Sequence, residues 1–357
     1  MNLFSPVTLG DLELPNRVIM APLTRRRSGR AGVPGELVAE HYAQRASVGL
    51  IVSEGTYPSH ESRAYPGQPG IVTDEQVAGW RAVADAVHAA GGRIVMQLMH
   101  SGRVSHPEIT GTDRIVAPSA VAIDGEVRLH DRKDTYPVPH ALTAAELSTV
   151  RDEFVAAAEN AIAAGLDGVE IHGANGYLLH QFLSPSSNRR GDGYGGSPEA
   201  RARFVVEVTS AVADAIGAGR VGIRLSPMHN IQGISETDLD DVTATYDAVI
   251  DGIAPLGLAY LSVLHEDPAG ELAQRLRTRF AGAFIANSGF RAITTRDEAV
   301  ALVEQSHADA VAVGRLAIAN PDLVERWQGS HPENTPNGAT FYADGAEGYT
   351  DYPRLSA

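Results

Sequence analysis

Cysteine is absent from the 357 residues, which excludes disulfides, thiolate metal sites, iron–sulfur clusters and a cysteine nucleophile together. Lysine is almost absent too. Lys133 is the only one among 29 lysines and arginines, and it sits in the charged run Asp131-Arg-Lys-Asp134. A barrel aldolase working through a Schiff-base lysine on a strand therefore has no good candidate. No apolar run is long enough to span a bilayer, and Met1-Asn-Leu-Phe-Ser-Pro6 lacks the basic and apolar regions of a signal peptide. A cytoplasmic protein is the expectation. The net charge of −15 leaves no basic face to displace counterions, so neither nucleic acid nor an anionic membrane is an expected partner.

What is present is a core's worth of apolar residues, 43% of the chain, arranged in a repeating rhythm. Arg17–Thr24 reads as a strand, 33–47 as a helix, and Leu50–Thr56 as a second strand. A helix over 74–90 begins at Thr73 and stops at Gly91-Gly92, and Arg93–Met99 is a third strand. Residues 100–142, rich in Gly, Pro, His and Asp, break the pattern; a connection this long is usually a lid or pocket wall. The capping box Thr143-Ala-Ala-Glu146 opens helix 143–165, and 168–171 is strand four. Asn188–Gly196 reads as a structural turn, since its ligand spacing is wrong for a calcium loop. Strand five (220–226), helix 236–256, strand six (258–263), helix 270–280, strand seven (283–286), helix 295–306 and strand eight (310–313) follow. Eight strand–helix units without a composition break predict an α/β fold, a TIM (β/α)8 barrel. The expectation is one domain over 1–357, with the insertion after strand three and a tail over 328–357. A doubly wound sheet is disfavoured because no glycine fingerprint follows the first strand.

The densest polar motif, His172-Gly-Ala-Asn175-Gly-Tyr177, lies directly after strand four. His172 and Asn175 can donate hydrogen bonds, Tyr177 carries an exchangeable proton, and Gly173 and Gly176 let the backbone turn so that the side chains converge. Two donors and one acid can polarise an oxygen and deliver a proton.

In a barrel, the C-terminal strand ends surround one pocket. Here those ends carry Thr24, Gly55, Gln97, His172, Asn175, Arg224, Ser288, Gly289, Gly314 and Arg315. The last four offer free backbone N–H groups and a guanidinium, which suit a phosphate. Gln97, Thr24 and Arg224 suit a planar heteroaromatic ring bearing negative charge, as a reduced flavin does. Arg224 paired with Glu170, or Gln97 as a core hydrogen-bonder, are the plainer alternatives. Metal hydrolysis and retaining glycosidase chemistry lack ligands and paired carboxylates at the strand ends; His172 and His180 have no third ligand.

On these residues the chain resembles the Old Yellow Enzymes, FMN-dependent ene-reductases. The likeness runs from Met20-Ala-Pro-Leu-Thr24-Arg25 through His172–Tyr177 and Ser187–Gly196 to Phe341-Tyr342 and Gly348–Pro353. It implies that Pro22, Leu23, Thr24, Gly55, Gln97 and Arg224 hold the isoalloxazine of FMN. Ser288, Gly289, Gly314 and Arg315 would hold its phosphate. NADPH or NADH would donate hydride. His172 and Asn175 would grip the carbonyl or nitro oxygen of an activated alkene, Tyr177 would protonate it, and Tyr342 and Met99 would line the pocket. Met99 stands where bacterial relatives often carry tryptophan, and Thr24 places the chain with the threonine-bearing members. A flavin dehydrogenase of a specific metabolite, or an FMN-binding protein without turnover, are the other functions kept open. A monomer or homodimer is expected.

Overall fold

The computed structural model describes residues 1–355. Eight parallel strands close on themselves as a barrel: β1 (Val18–Met20), β2 (Leu50–Val52), β3 (Ile94–Leu98), β4 (Gly168–Gly173), β5 (Val221–Leu225), β6 (Tyr260–Leu264), β7 (Phe284–Asn287) and β8 (Ala310–Val313). Nearly every strand residue is buried, as expected where side chains on one face fill the barrel and those on the other meet helices. Ile19, Leu50, Val52, Val95, Tyr260, Ile285, Ala310 and Ala312 form the inner cluster. Gly222 belongs to this packing: a Cβ there would stand 2.2 Å from the Tyr260 ring.

The outer ring comprises α1 (Glu36–Ala43), α2 (Asp74–Ala89), α3 (Ala144–Ala163), α4 (Pro198–Ile216), α5 (Leu239–Ile253), α6 (Glu271–Phe280) and α7 (Arg296–Glu304). Thr73 and Thr143 make full capping boxes with Gln76 and Glu146. Ser197 caps α4 ahead of Pro198. The strands and helices sit where periodicity put them, with shorter ends: the first strand stops at Met20 rather than Thr24, and the helix expected over 236–256 starts at Leu239 behind its cap Asp238.

Several short elements escape the periodicity. A hairpin, Val7–Leu9 with Leu12–Leu14, closes the N-terminal end, its leucines joining the inner cluster. Its Gly10 (φ +57°) approaches so closely that a Cβ would lie 2.4 Å from the Gly219 carbonyl, a position only glycine fits. A short helix, Leu178–Leu183, follows the polar motif directly. The insertion is structured as well, with a small antiparallel hairpin pairing Glu126–Arg128 with Lys133–Thr135. The turn after Asn188 is held by Arg190 on Asp192 at 2.9 Å.

Candidate active site

Parallel register gathers the polar strand residues into rows. Gln97 pairs with Glu170 across β3 and β4, and His172, Arg224 and Ser262 are consecutive partners across β4, β5 and β6. Gln97 Nε2 donates to Glu170 Oε1 at 2.8 Å. Burial raises the Glu170 pKa, opposed first by the nearby Arg224 charge. Among the described residues, Arg224 makes no direct ion pair. Its two terminal nitrogens donate to Ser262 Oγ (3.3 Å) and Asn287 Oδ1 (2.9 Å), and Nε is buried without a partner. Leaving a buried polar atom unpaired costs roughly 1–3 kcal/mol, so that nitrogen marks a place for an acceptor.

The turn after β4 is built to hold three side chains. Asn175 is left-handed (φ +55°), a conformation asparagine tolerates better than most residues. Its N–H donates to Ser226 Oγ at 2.8 Å and its carbonyl accepts from Gln232 Nε2 at 2.8 Å, while its buried Oδ1 has no partner. Gly176 is fixed from both sides, by His180 Nδ1 (3.0 Å) and by Gln181 Nε2 (2.7 Å), and His180 Nε2 rests on Glu236 at 3.1 Å. His180 is therefore committed to this turn.

His172 accepts the Ala174 N–H at Nδ1 (3.2 Å), which leaves the neutral ring its Nε2–H as donor. Burial, then Arg224 and His180, hold its pKa well below the usual imidazole range. Its ring meets Tyr177 edge-on with centroids 4.9 Å apart. The Tyr177 hydroxyl lies 2.7 Å from that of Tyr65. Burial raises the Tyr177 pKa, and hydrogen bonds from Tyr65 and Gln232 pull it back.

Pro22, Leu23 and Thr24 follow β1, partly exposed, and a buried carboxylate fixes the stretch behind them: Glu54 Oε2 accepts the N–H of Arg25 (2.9 Å) and Arg26 (3.0 Å). Arg25 then reaches the tail, donating to the carbonyls of Phe341 (3.1 Å) and Gly348 (2.7 Å). The Tyr349 ring stacks on His41 at 3.9 Å. The tail is thus clamped to the Thr24 loop, and Tyr342 stands 60% exposed at a groove of about 960 Å3 shared with Arg26, Arg30, Arg63 and Arg128. Met99 is buried. It packs over Gly55, where a Cβ would touch its sulfur, and shares a cluster with Tyr177, so it shapes the wall by packing.

A Cβ at Gly289 (φ +93°) or Gly314 would meet only ordinary van der Waals contacts, with Leu264 at 3.4 Å and Leu23 at 3.6 Å. The Ser288 hydroxyl is engaged with Thr294 at 2.8 Å, which leaves its backbone as the available contact. Arg315 bonds the Phe290 carbonyl.

A family described as NADH:flavin oxidoreductase / NADH oxidase matches residues 2–334. The chain belongs to this family. It is a flavin-dependent oxidoreductase on the TIM barrel of the Old Yellow Enzymes. A probable flavin mononucleotide-dependent alkene reductase of Leishmania infantum is 42% identical over 98% of this chain and 97% of its own. The 12-oxophytodienoate reductase 1 of Oryza sativa subsp. japonica is 41% identical over 99% and 93%. Among solved structures, morphinone reductase in complex with tetrahydroNAD superposes with a TM-score of 0.92 at 44% identity, covering 100% of this chain and 98% of that one. An Old Yellow Enzyme homologue from Zymomonas mobilis gives 0.94 at 38%, covering 99% and 100%.

The strand-end rule missed Tyr65, Gln232, Ser226 and Glu54, all of which the family fold brings to the site from loops or behind it. Only Glu54 carried a signal, an acid inside an otherwise buried strand end.

Proposed function

We propose that this protein uses NADPH or NADH to reduce the activated C=C bond of α,β-unsaturated carbonyl or nitro compounds, with FMN at the barrel mouth. One observation carries the reading: two donor side chains and a phenol, His172, Asn175 and Tyr177, converge on a backbone turn that four further side chains hold in place. The residues fit FMN. The orphaned Arg224 Nε and the Gln97 amide offer hydrogen bonds to a heteroaromatic ring, with Pro22, Leu23, Thr24 and Gly55 beside them. The Gly289 and Gly314 backbone, with no Cβ to cover it, suits the phosphate together with the Ser288 backbone and Arg315. When bound, FMN supplies the hydride it has taken from the nicotinamide to the alkene β-carbon. The arginines of the groove beside Tyr342 suit the phosphates of the nicotinamide donor.

The chain's own work is electrostatic and protonic. His172 Nε2–H and the Asn175 amide hold the substrate oxygen, and one such donor aimed at developing enolate charge is worth on the order of 2.7–4 kcal/mol. The depressed His172 pKa keeps the ring a neutral donor through physiological pH. Tyr177, in contact with that histidine, gives its proton to the α-carbon, a step worth about 10²–10⁴-fold. Rapid mixing of Tyr177→Phe tests this: alkene reduction slows by about that factor while NADPH still reduces the flavin. Equal slowing of both half-reactions would overturn the assignment.

A further inference from the structure

The proposed acid is buried, and it must be recharged after every turnover. Tyr177 is 7% exposed, and among the described residues its hydroxyl has one titratable O–H within hydrogen-bond reach, that of Tyr65 at 2.7 Å. His172 is a poor source: its pKa is depressed, so it holds no second proton, and its Nε2–H is committed to the substrate oxygen. Gln232 is an amide and not an acid. Tyr65 is partly exposed, and the residues on either side, Arg63, Pro66 and Gly67, line the open groove. Tyr65 thus stands between the buried acid and the segment that lines the groove.

Tyr65 is also held in place. Gln68 Oε1 accepts the N–H groups of Ala64 (2.7 Å) and Tyr65 (3.3 Å), and Gln68 Nε2 donates to the Gly55 carbonyl at 2.8 Å. A short side-chain bridge thus ties the Tyr65 segment to the end of β2.

We infer that Tyr65 returns the proton to Tyr177 and so acts, through Tyr177, as a positioning residue between the acid and water. This rests on the reading of Tyr177 as the proton donor. The Tyr177 O–H bond breaks as the α-carbon takes its proton. The Tyr65 hydroxyl then gives its own proton to the Tyr177 phenolate, and the Tyr65 phenolate takes one from water, leaving hydroxide for the buffer to neutralise. The 2.7 Å contact already places the two hydroxyls at transfer distance, so neither ring has to move. Burial raises the pKa of both hydroxyls, and their shared hydrogen bond lowers that of Tyr177 and raises that of Tyr65, the directions expected when Tyr65 donates to a Tyr177 anion.

The test is Tyr65→Phe in the FMN-loaded enzyme, which keeps the ring and removes only the hydroxyl. With 2-cyclohexenone in weak buffer, the first turnover should stay within about twofold of the parent, because Tyr177 is already protonated. Later turnovers should slow by about 10²-fold or more, the lower end of what a placed proton carrier contributes. Imidazolium, added as a small diffusible acid, should restore them in proportion to its concentration. Unslowed later turnovers would overturn the relay, as would a first turnover slowed equally and not rescued. Tyr177→Phe separates the two claims. If it slows alkene reduction and Tyr65→Phe does not, only the relay fails; if Tyr177→Phe has no effect, the acid assignment fails with it.

Discussion

The two halves of the barrel mouth are built from different materials. Strands β3 to β6 contribute side chains: Gln97, Glu170, His172, Arg224 and Ser262 are all buried and interact through register. Strands β7 and β8 contribute mainly backbone, through Ser288, Gly289 and Gly314, with the Asn287 side chain turned to Arg224 and Arg315 only at the edge. A conjugated ring and a reacting alkene need particular donors at particular atoms, and these require side chains held by packing. A phosphate needs several N–H groups and room to approach, so glycine serves it better than any side chain could.

If this division holds, variants in the two halves fail differently. The largest effect is expected for His172→Ala combined with Asn175→Ala. Removing a single oxyanion donor costs about 10²–10³-fold, so the pair should lose at least that in alkene reduction and should no longer give the charge-transfer band of a bound phenol. An unchanged phenol titration would separate these residues from the substrate oxygen. In the parent, alkene reduction should also show no inflection near pH 6.5 from His172, whose folded pKa is depressed. The sign for stability follows from that depression: the neutral buried ring favours the fold above about pH 6.5 and loses that contribution as pH falls toward the folded value.

Arg224→Gln comes next. It leaves Glu170 buried without its compensating charge and removes a charged hydrogen-bond donor worth about 1.5–3 kcal/mol. Flavin affinity should fall by about 10- to 100-fold, and the midpoint potential should drop because negative charge on the ring loses its partner. A normal potential would place the ring elsewhere. Gly314→Ala should be the mildest and the most selective. The nearest atom is 3.6 Å away, but at φ −93° and ψ −92° the backbone lies outside the regions alanine favours, so the apoprotein should melt slightly lower while FMN binds about tenfold more weakly, a loss of about 1.4 kcal/mol, with its potential unchanged. Unaltered FMN affinity would remove the phosphate from the β7–β8 half.

Much of this arrangement was legible because a barrel converts sequence position into spatial position. Once eight strand–helix units are counted, every strand end points to one mouth, so Thr24, Gln97, His172, Arg224 and Gly314 could be collected without coordinates. The Val7–Leu14 hairpin was not legible, since three-residue strands carry too little alternation to stand out. Tyr65 and Gln232 were hidden for another reason. They lie in loops, 112 and 55 positions from Tyr177 in sequence, and only packing of the Gln68 bridge and the turn after β5 brings them to its hydroxyl. Arg224 stood out as a charge at a strand end, but its choice of Ser262 and Asn287 over Glu170 depends on register that composition does not encode.

The most direct test is an anaerobic absorbance titration of the purified protein, first with NADPH and then with 2-cyclohexenone. The expected result is a flavin spectrum that bleaches with the nicotinamide and returns, mole for mole, with the enone. A flavin that bleaches and does not recover would contradict the alkene assignment of His172, Asn175 and Tyr177.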